Sequence, residues 1–276
     1  MEPTHRRLLD VVLADPDDEA PRRVLADWLD ERGDPRGELI TLQCELARIP
    51  AAEVGRRDAV EARIHQLLAA HGPAWLAACG LHAAEATFEK GFVDVARLAD
   101  DRVLAAAAQL GAHEPVRSLI VRYLGEPRFL ELLRLPLVHL LSNLHADNNE
   151  LGPDTARALA AARPRRLRRL NLGSNRLGDD GVEALARSPF FAGLRSLDLG
   201  SNRLGARGAI ALATCKHLAD LEQLELERNA ITDDGAAALA ASPHLTRLTR
   251  LNISRDRLRA HGISALAKRF GEAWVS

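Results

Sequence analysis

Leucine and polar residues alternate along the second half of the chain in a pattern that is written five times. The best-preserved copies read L-x-x-L-x-L-x-x-N-x-L and begin at Leu167, Leu194 and Leu221; looser copies begin at Leu141 and Leu248. Successive copies start 26, 27, 27 and 27 residues apart. A fixed period of this length predicts a solenoid, in which each unit buries its leucines against its neighbours.

Each copy also predicts its own local structure. The first, fourth and sixth positions are apolar, and because side chains alternate along a strand, positions three, five and seven point to the opposite face. A turn rich in glycine and aspartate follows, and then a helix whose buried leucine recurs at Leu159, Leu185, Leu212, Leu239 and Leu266. We therefore predict an α/β solenoid, with a parallel sheet on the concave face and helices outside.

The ninth position of the copies holds Asn149, Asn175, Asn202 and Asn229. An amide side chain donates and accepts, so we predict that each asparagine satisfies backbone groups of its own turn and of the adjacent one. Asp256 takes this position in the last copy. A carboxylate only accepts, which indicates that no further regular repeat follows.

The first 80 residues have a different, helical periodicity. They predict helices over about 4–14, 18–32, 35–48 and 54–70, with a break at Gly72-Pro73 and a short fifth helix at Trp75. In the second helix, the predicted buried stripe consists of Val24, Leu25, Trp28 and Leu29. We predict a compact helical module.

Between these regions the pattern is weaker. Residues 88–98 alternate like one strand, an alanine-rich helix follows at 103–110, and the copy that begins at Val116 has Leu124 in the asparagine position. The predicted organisation is a helical module at 1–80 and a repeat domain at 81–276. The repeat domain divides into degenerate first repeats at 86–140, regular repeats at 141–270 and a C-terminal cover at 268–276. There Phe270 and Trp274 either shield the last turn, as we predict, or contact a partner.

Two segments resemble known families. The run Ala26-Asp-Trp-Leu29 followed by Arg32-Gly-Asp-Pro-Arg-Gly-Glu38 resembles the helical repeat-companion module found beside leucine-rich repeats in bacterial proteins, over about residues 5–48. Leu25 stands where that family commonly has tyrosine, and the resemblance implies no known activity. The charged residues of the run are either caps and ion pairs or a docking surface; they are Asp27, Arg32, Asp34, Arg36 and Glu38. The copies over 116–270 resemble the ribonuclease-inhibitor type of leucine-rich repeat.

Composition limits the possible environments and partners. The net charge is −1, with 15 acidic and 10 basic residues in 1–80 against 23 and 27 in the rest. Neither part is basic enough to favour the binding of nucleic acid. Cys44, Cys79 and Cys215 match no zinc or redox spacing, which suits a reducing compartment. The sequence predicts no signal peptide and no membrane span, and only three of the 37 basic residues are lysines. We expect a cytoplasmic, bacterial protein.

Signals for catalysis, metals or cofactors are weak. Residues 173–178 and 200–205 look like phosphate loops, but no Lys-Ser/Thr follows and they recur with the repeat, so we interpret them as scaffold. The pairs Asp179-Asp180 and Asp233-Asp234 stand at helix starts, where caps are expected. Cys44 lies on an apolar helix face. The basic segment 163–169 is either a solvated loop or a contact for an acidic partner or nucleic acid. We expect no enzyme activity, no cofactor and no metal.

The exposed face of the sheet carries the candidate site. Asp198 and Glu225 are predicted to lie about 5 Å apart as like charges, which stabilises nothing in the fold. Together with Glu227 they indicate a binding patch for a basic or hydroxyl-rich group, and Gly173 and Gly200 leave room for that group. The alternative is a charged face that is merely solvated. The candidate partner-binding residues are His145, Asp147, Asn171, Asp198, Glu225, Glu227, Arg250 and Asn252.

The function that follows is binding of another protein. The near absence of aromatic residues on this face favours a polar contact of modest affinity. The alternative is a regulator of an enzyme such as a GTPase, since solenoids of the type it resembles can act in that way. The sequence offers no evident arginine finger for that role.

Overall fold

The computed structural model describes residues 2–99, 101–189 and 192–271, and the backbone of Trp274 and Val275. The chain forms two compact units, Met1–Leu98 with Ala105–Ser118, and Ala99–Leu104 with Leu119–Ser276. The division of the chain at residue 80 stays a sequence-based prediction.

The first unit is built from helices and one β-hairpin. Its elements are α1 (Pro3–Ala14), α2 (Glu19–Asp30), α3 (Pro35–Leu46), α4 (Val54–Ala78), β1 (Ala86–Glu89), β2 (Phe92–Ala99) and α5 (Val103–His113). As predicted, Asp34 caps α3 by accepting a hydrogen bond from the Arg36 amide at 2.9 Å, with Pro35 in the first turn. Leu39, Ile64 and Leu67 form a buried cluster between α3 and α4.

The predicted break at Gly72-Pro73 is wrong, because α4 continues through Pro73 and there is no separate fifth helix at Trp75. A residue before proline normally avoids the helical region because its Cβ clashes with the proline ring, and Gly72 has no Cβ. Leu67 and Leu76 are both buried on either side of the proline. Their burial offsets the hydrogen bond that Pro73 cannot donate.

Residues 88–98 also differ from the prediction, since they form two strands instead of one. β1 and β2 pair antiparallel, with Glu89 opposite Phe92. Lys90 and Gly91 connect them with φ of 50° and 82°. Two successive positive φ values are typical of a tight hairpin turn. Because apolar and polar residues alternate on both sides of the turn, the sequence pattern resembles that of one continuous strand.

The buried stripe of α2 is shifted from the predicted one. Leu25 and Leu29 are buried as expected, but Val24 is 55% exposed and Trp28 is half-buried. Arg22 is buried instead; it donates to the Pro16 carbonyl at 2.8 Å and its guanidinium lies 5.2 Å from the centre of the Phe92 ring. A long arginine stem can pack like an apolar side chain, which a hydrophobic pattern does not reveal.

Four of the five charged residues in the 27–38 segment have structural contacts of the expected kind. Arg32 pairs with Glu2 at 3.5 Å and with Glu31 at 3.7 Å. Asp34 caps α3, and Glu38 pairs with Arg63 at 2.6 Å on the surface. Arg36 donates to both Glu114 carboxylate oxygens at 2.7 and 2.6 Å, and Glu114 also accepts the Val93 amide at 2.9 Å. The Glu114 side chain is 2% exposed, so this ion pair is buried.

The second unit repeats a strand and a helix along the chain. Its strands are β3 (Ser118–Arg122), β4 (Asn143–His145), β5 (Arg169–Asn171), β6 (Ser196–Asp198), β7 (Gln223–Glu225), β8 (Arg250–Asn252) and β9 (Trp274–Val275). Its helices are α6 (Glu126–Leu132), α7 (Pro153–Ala162), α8 (Gly178–Ala186), α9 (Ala206–Ala213), α10 (Asp233–Ala241) and α11 (Ala260–Phe270).

The strands of this unit lie in chain order, and β4 to β9 are parallel. Equivalent leucines meet across the strands, as Leu170, Leu197 and Leu224 do. The strand leucines and the recurring helix leucines are at most 1% exposed. Burial of each such side chain contributes about 1.5–3 kcal/mol. The predicted solenoid with a parallel sheet is confirmed.

The asparagine ladder, formed by Asn149, Asn175, Asn202 and Asn229, ties each turn to the turn before it. Asn175 accepts the amides of Asn149 and Leu151 at 3.0 Å each and donates to the Ala146 and Leu172 carbonyls at 2.8 and 2.9 Å. The other three make equivalent bonds to the preceding repeat. Each amide thus satisfies its own turn and an adjacent one, as predicted.

A second set of contacts between repeats comes from carboxylates at helix starts. Asp179 accepts the amides of Gly205 and Gly208 at 2.7 and 2.9 Å, and Asp233 accepts the Arg259 amide at 2.7 Å. These carboxylates therefore act as caps, but they cap the helix of the next repeat. The sequence pattern of a capping residue does not indicate which helix the carboxylate caps.

The last repeat departs from the pattern. Asp256 is exposed in a short turn, and β9 pairs with β8 so that Leu251 lies opposite Trp274, which is 23 positions further along the chain. Phe270 is half-buried, with the Arg269 guanidinium 5.2 Å from its ring centre. The side chain of Trp274 lies outside the described residues, so its part in the C-terminal cover stays a prediction.

Replacing Glu114 with glutamine is expected to lower the free energy of unfolding by about 3–5 kcal/mol, because it leaves the buried Arg36 charge without its partner. Glu38→Gln breaks the exposed pair with Arg63 and is the matched control, with a far smaller expected effect. Urea denaturation of both variants checks this. Equal destabilisation by the two would show that the buried pair has no special weight.

Replacing Asn202 with alanine is expected to cost about 1–3 kcal/mol, because it leaves the buried Leu177 amide unpaired, while the Leu172 carbonyl keeps only its bond from Asn175. Asn143 lies half-buried on β4 and its side chain makes no hydrogen bond to any described residue, so Asn143→Ala should stay within about 0.5 kcal/mol of the original chain. The shift of the urea midpoint measures both. A midpoint for Asn202→Ala close to that of the control would contradict the role of the ladder.

Candidate partner-binding site

Five of the eight candidate residues form one row across the sheet. Parallel pairing aligns His145 with Asn171, Asn171 with Asp198, Asp198 with Glu225, and Glu225 with Asn252. All five are half-buried. The predicted juxtaposition of Asp198 and Glu225 as cross-strand neighbours is therefore present in the structure.

A depression of about 490 Å³ lies over this row. Six candidate residues line it: His145, Asp147, Asn171, Asp198, Glu225 and Glu227. Arg250 and Asn252 lie beside it on β8. Arg250 is exposed, and the Asn252 Oδ1 atom is buried without a hydrogen-bond partner among the described residues.

Sequence reasoning missed part of the lining. Ile120 and Arg122 come from β3, and Asn148, Ser174, Ser201 and Arg228 come from the turns that follow the strands. The four turn residues share the eighth position of the repeat. That position recurs with the repeat and is its only signal, because it lies beyond the alternating positions of the strand.

The floor of the depression is held by hydrogen bonds to glycine amides. Asp198 accepts the Gly200 amide at 2.9 Å, and Asn171 accepts the Gly173 amide at 2.8 Å in the same way. A Cβ atom at Gly173 or Gly200 would lie 3.2 or 3.3 Å from Asp198 Oδ1. Glycine at these positions thus keeps the carboxylate accessible.

The charges around Asp198 oppose its ionisation. Burial raises the pKa of Asp198, and the neighbouring Glu225 and Asp147 raise it further, against the Gly200 hydrogen bond and His145. Burial lowers the pKa of His145, aided by Arg169 and Arg122 and opposed by Asp147 and Asp198. The imidazole is therefore uncharged at neutral pH and does not neutralise the carboxylates.

Of the acidic side chains in the depression, one has a cationic partner among the described residues and three do not. Arg122 pairs with Asp147 at 3.1 Å. In the part of the chain that the structure describes, no arginine or lysine pairs with Asp198, Glu225 or Glu227. The arrangement can attract a cationic group to a concave, partly desolvated surface.

The described residues offer little for other chemistry. No group of histidine, cysteine and carboxylate side chains among them is placed to hold a metal ion. Cys44, Cys79 and Cys215 are buried free thiols. Burial raises the pKa of all three, that of Cys79 to about 12, so they are poor nucleophiles.

Comparison with known proteins identifies the repeats. The leucine-rich repeat family model matches residues 165–186, 194–213 and 217–240. The repeats of this chain are leucine-rich repeats. Among solved structures, the chain is similar to an internalin (inlF) of Listeria monocytogenes, at 21% identity and a TM-score of 0.39, covering 59% of this chain and 42% of that one. The chain thus spans less than half of the internalin. No curated protein sequence matches it.

None of the described helices, in the leucine-rich repeats or before them, is both long enough and apolar enough to cross a bilayer.

Replacing Asp198 with asparagine is expected to stabilise the leucine-rich repeats at pH 7, by about 0.5–1 kcal/mol. Its amide oxygen can still accept the Gly200 amide, as Asn171 does with Gly173. Because the folded chain binds the Asp198 proton more tightly than the unfolded chain, its stability falls as pH rises from the ordinary aspartate pKa through the raised one. The gain should therefore vanish at a pH below the ordinary aspartate value.

Urea denaturation across this pH range measures the effect. Asp220→Asn, which removes a surface pair with Arg247 at 3.0 Å, is the control and should not stabilise. A gain that is the same at all pH values would exclude the titration of Asp198 as its cause.

Proposed function

We propose that this protein is a non-catalytic interaction module, or adaptor, that binds another protein on the concave face of its leucine-rich repeats. One observation carries the proposal. Asp198 and Glu225 are cross-strand neighbours of like charge, and the pKa of Asp198 is raised by burial and by that neighbour. The fold gains nothing from this pair, which supports a role toward a partner.

The chemistry of the patch indicates what the partner presents. A lysine or arginine side chain would neutralise the two carboxylates and relieve their repulsion. The glycines at 173 and 200 leave space beside them. Arg250 and Asn252 extend the proposed contact onto β8, and His145, Asp147, Asn171 and Glu227 complete it.

The proposed contact is polar. Ile120 is the single large aliphatic residue in the lining of the depression, so the patch lacks the apolar anchors that dominate tight interfaces. We infer a modest affinity with strong dependence on salt. The buried free thiols of Cys44, Cys79 and Cys215 suit a reducing compartment, and we place the protein in the cytoplasm.

A defined probe tests the patch before any partner is known. A fluorescein-labelled octalysine peptide is expected to bind the full chain at low salt, and Asp198→Asn with Glu225→Gln should weaken binding at least about tenfold. Glu131→Gln with Asp234→Asn removes the same charge from exposed helix residues and is the matched control. Equal affinity of the two double variants for octalysine would contradict the concave-face proposal.

The same binding measurement can be made as a function of pH. A bound cation favours ionised Asp198, so binding should weaken as pH falls through the raised pKa of Asp198. Protonation of His145 acts in the same direction. For the natural partner, retrieval by cross-linking and mass spectrometry should fail with Asp198→Arg plus Glu225→Arg, whereas unchanged recovery with that variant would contradict the proposal.

A further inference from the structure

The turn edge of the leucine-rich repeats, made of the turns that follow β3 to β7, forms a second surface. A cleft of about 690 Å³ runs along it, with Tyr123, Glu150, Arg176 and Arg203 among its lining residues. Arg228 belongs to the next turn, at the border with the concave depression. Tyr123 is 77% exposed.

Three bulky residues on this edge have backbone conformations that suit glycine or asparagine. The φ angles of Tyr123, Arg203 and Arg228 are 58°, 62° and 56°. On the same edge Gly125, Asn148, Glu150, Ser174 and Ser201 also adopt positive φ, and glycine and asparagine tolerate it best. Tyr123, Arg203 and Arg228 are therefore not the residues that the turns would select for stability, which suggests a use outside the fold.

Neither Arg203 nor Arg228 forms an ion pair with a described residue of the chain. Another arginine of this edge is paired, since Arg176 lies 3.2 Å from Glu150. Arg203 and Arg228 are exposed, and no carboxylate of the described residues pairs with either. Their guanidinium groups are free to bind an anionic group.

Hydrogen bonds join the two neighbouring turns that carry Arg203 and Arg228. The Ser201 amide donates to the Glu227 carbonyl at 2.8 Å, and the Ala230 amide donates to the Leu204 carbonyl at 2.7 Å. Arg203 and Arg228 thus project from neighbouring repeats, whose strands lie about 5 Å apart. Carboxylates on one face of an extended peptide lie about 7 Å apart, which two flexible arginine side chains can reach.

We propose that the turn edge binds an acidic peptide segment, with Arg203 and Arg228 pairing with its carboxylates and Tyr123 packing against its backbone. A peptide fits better than a nucleic acid because Glu150 and Glu227 lie among the arginines. A phosphate on every nucleotide would meet those carboxylates, whereas a peptide carries charge only at chosen positions. This site shares no residue with the proposed concave contact and does not depend on it.

Tyr123 is the only tyrosine of the chain, so a single fluorine label reports on this edge. Full-length protein labelled with 3-fluorotyrosine should give one ¹⁹F resonance that shifts on titration with an eight-residue peptide of alternating glutamate and serine. The shift should follow a saturable curve and shrink between about 50 mM and 500 mM salt. No shift at low salt would overturn the proposal.

Variants locate the site independently. Arg203→Asn with Arg228→Asn keeps residues that tolerate positive φ and removes both charges, and is expected to weaken binding of the alternating glutamate-serine peptide about tenfold by fluorescence anisotropy. Arg165→Asn with Arg187→Asn removes two exposed arginines elsewhere and should leave the affinity within about twofold. Circular dichroism and thermal melting confirm that both variants are folded.

Two outcomes contradict the inference. Loss of binding in the Arg165 and Arg187 variant, but not in the edge variant, would place the peptide at another basic surface. Equal or tighter binding of a twelve-residue oligothymidylate, lost in the edge variant, would make the edge a nucleic-acid surface. Octalysine should still bind the edge variant, at least as tightly as it binds the original chain, because Arg228 borders the acidic depression; this separates a failure here from a failure of the concave-face proposal.

Discussion

The hydrogen bonds of the asparagine ladder are the interaction on which the rest of the repeat unit depends. After each strand the chain turns away from the sheet while its backbone groups are still buried, and unpaired groups there would each cost about 1–3 kcal/mol. Asn175, fully committed to five such bonds, shows why a side chain that both donates and accepts is needed. Because every bond set reaches back to the preceding repeat, the ladder also fixes the register, and the register aligns equivalent side chains across the sheet.

A scaffold of this kind separates stability from recognition. The leucines and asparagines occupy the first, fourth, sixth and ninth positions, and the core they form does not depend on the residues between them. Asp198 and Glu225 can therefore lie side by side against their mutual repulsion, since a destabilisation of about 1 kcal/mol is small beside the burial of several leucines per repeat. The same reasoning applies to Arg203 and Arg228, which occupy unfavourable turn conformations in a unit stable enough to hold them.

The sequence predicts the periodic features because each is a repeated choice among few residue types. The strand and helix of each repeat, the asparagine bonds and the alignment of Asp198 with Glu225 all follow from period and alternation. Single events were not predictable in this way. Glycine and proline at 72 and 73 predict a helix break, yet Gly72 has no Cβ atom to clash with Pro73 and the helix continues. Arginine predicts a surface position, yet Arg22 is buried. The turn edge was missed because arginine and tyrosine give no indication of positive φ, whereas glycine does.

On the proposed functions, the charges of the two surfaces limit which partners can bind both. The concave floor is acidic through Asp198, Glu225 and Glu227, while the adjoining turn edge presents unpaired Arg203 and Arg228. A uniformly basic partner would be attracted by the floor and repelled by the edge, and a uniformly acidic one the reverse. A partner that engages both must therefore carry basic groups toward the sheet and acidic groups toward the turns, so the repulsive half of each pairing sets orientation and selectivity as much as the attractive half does.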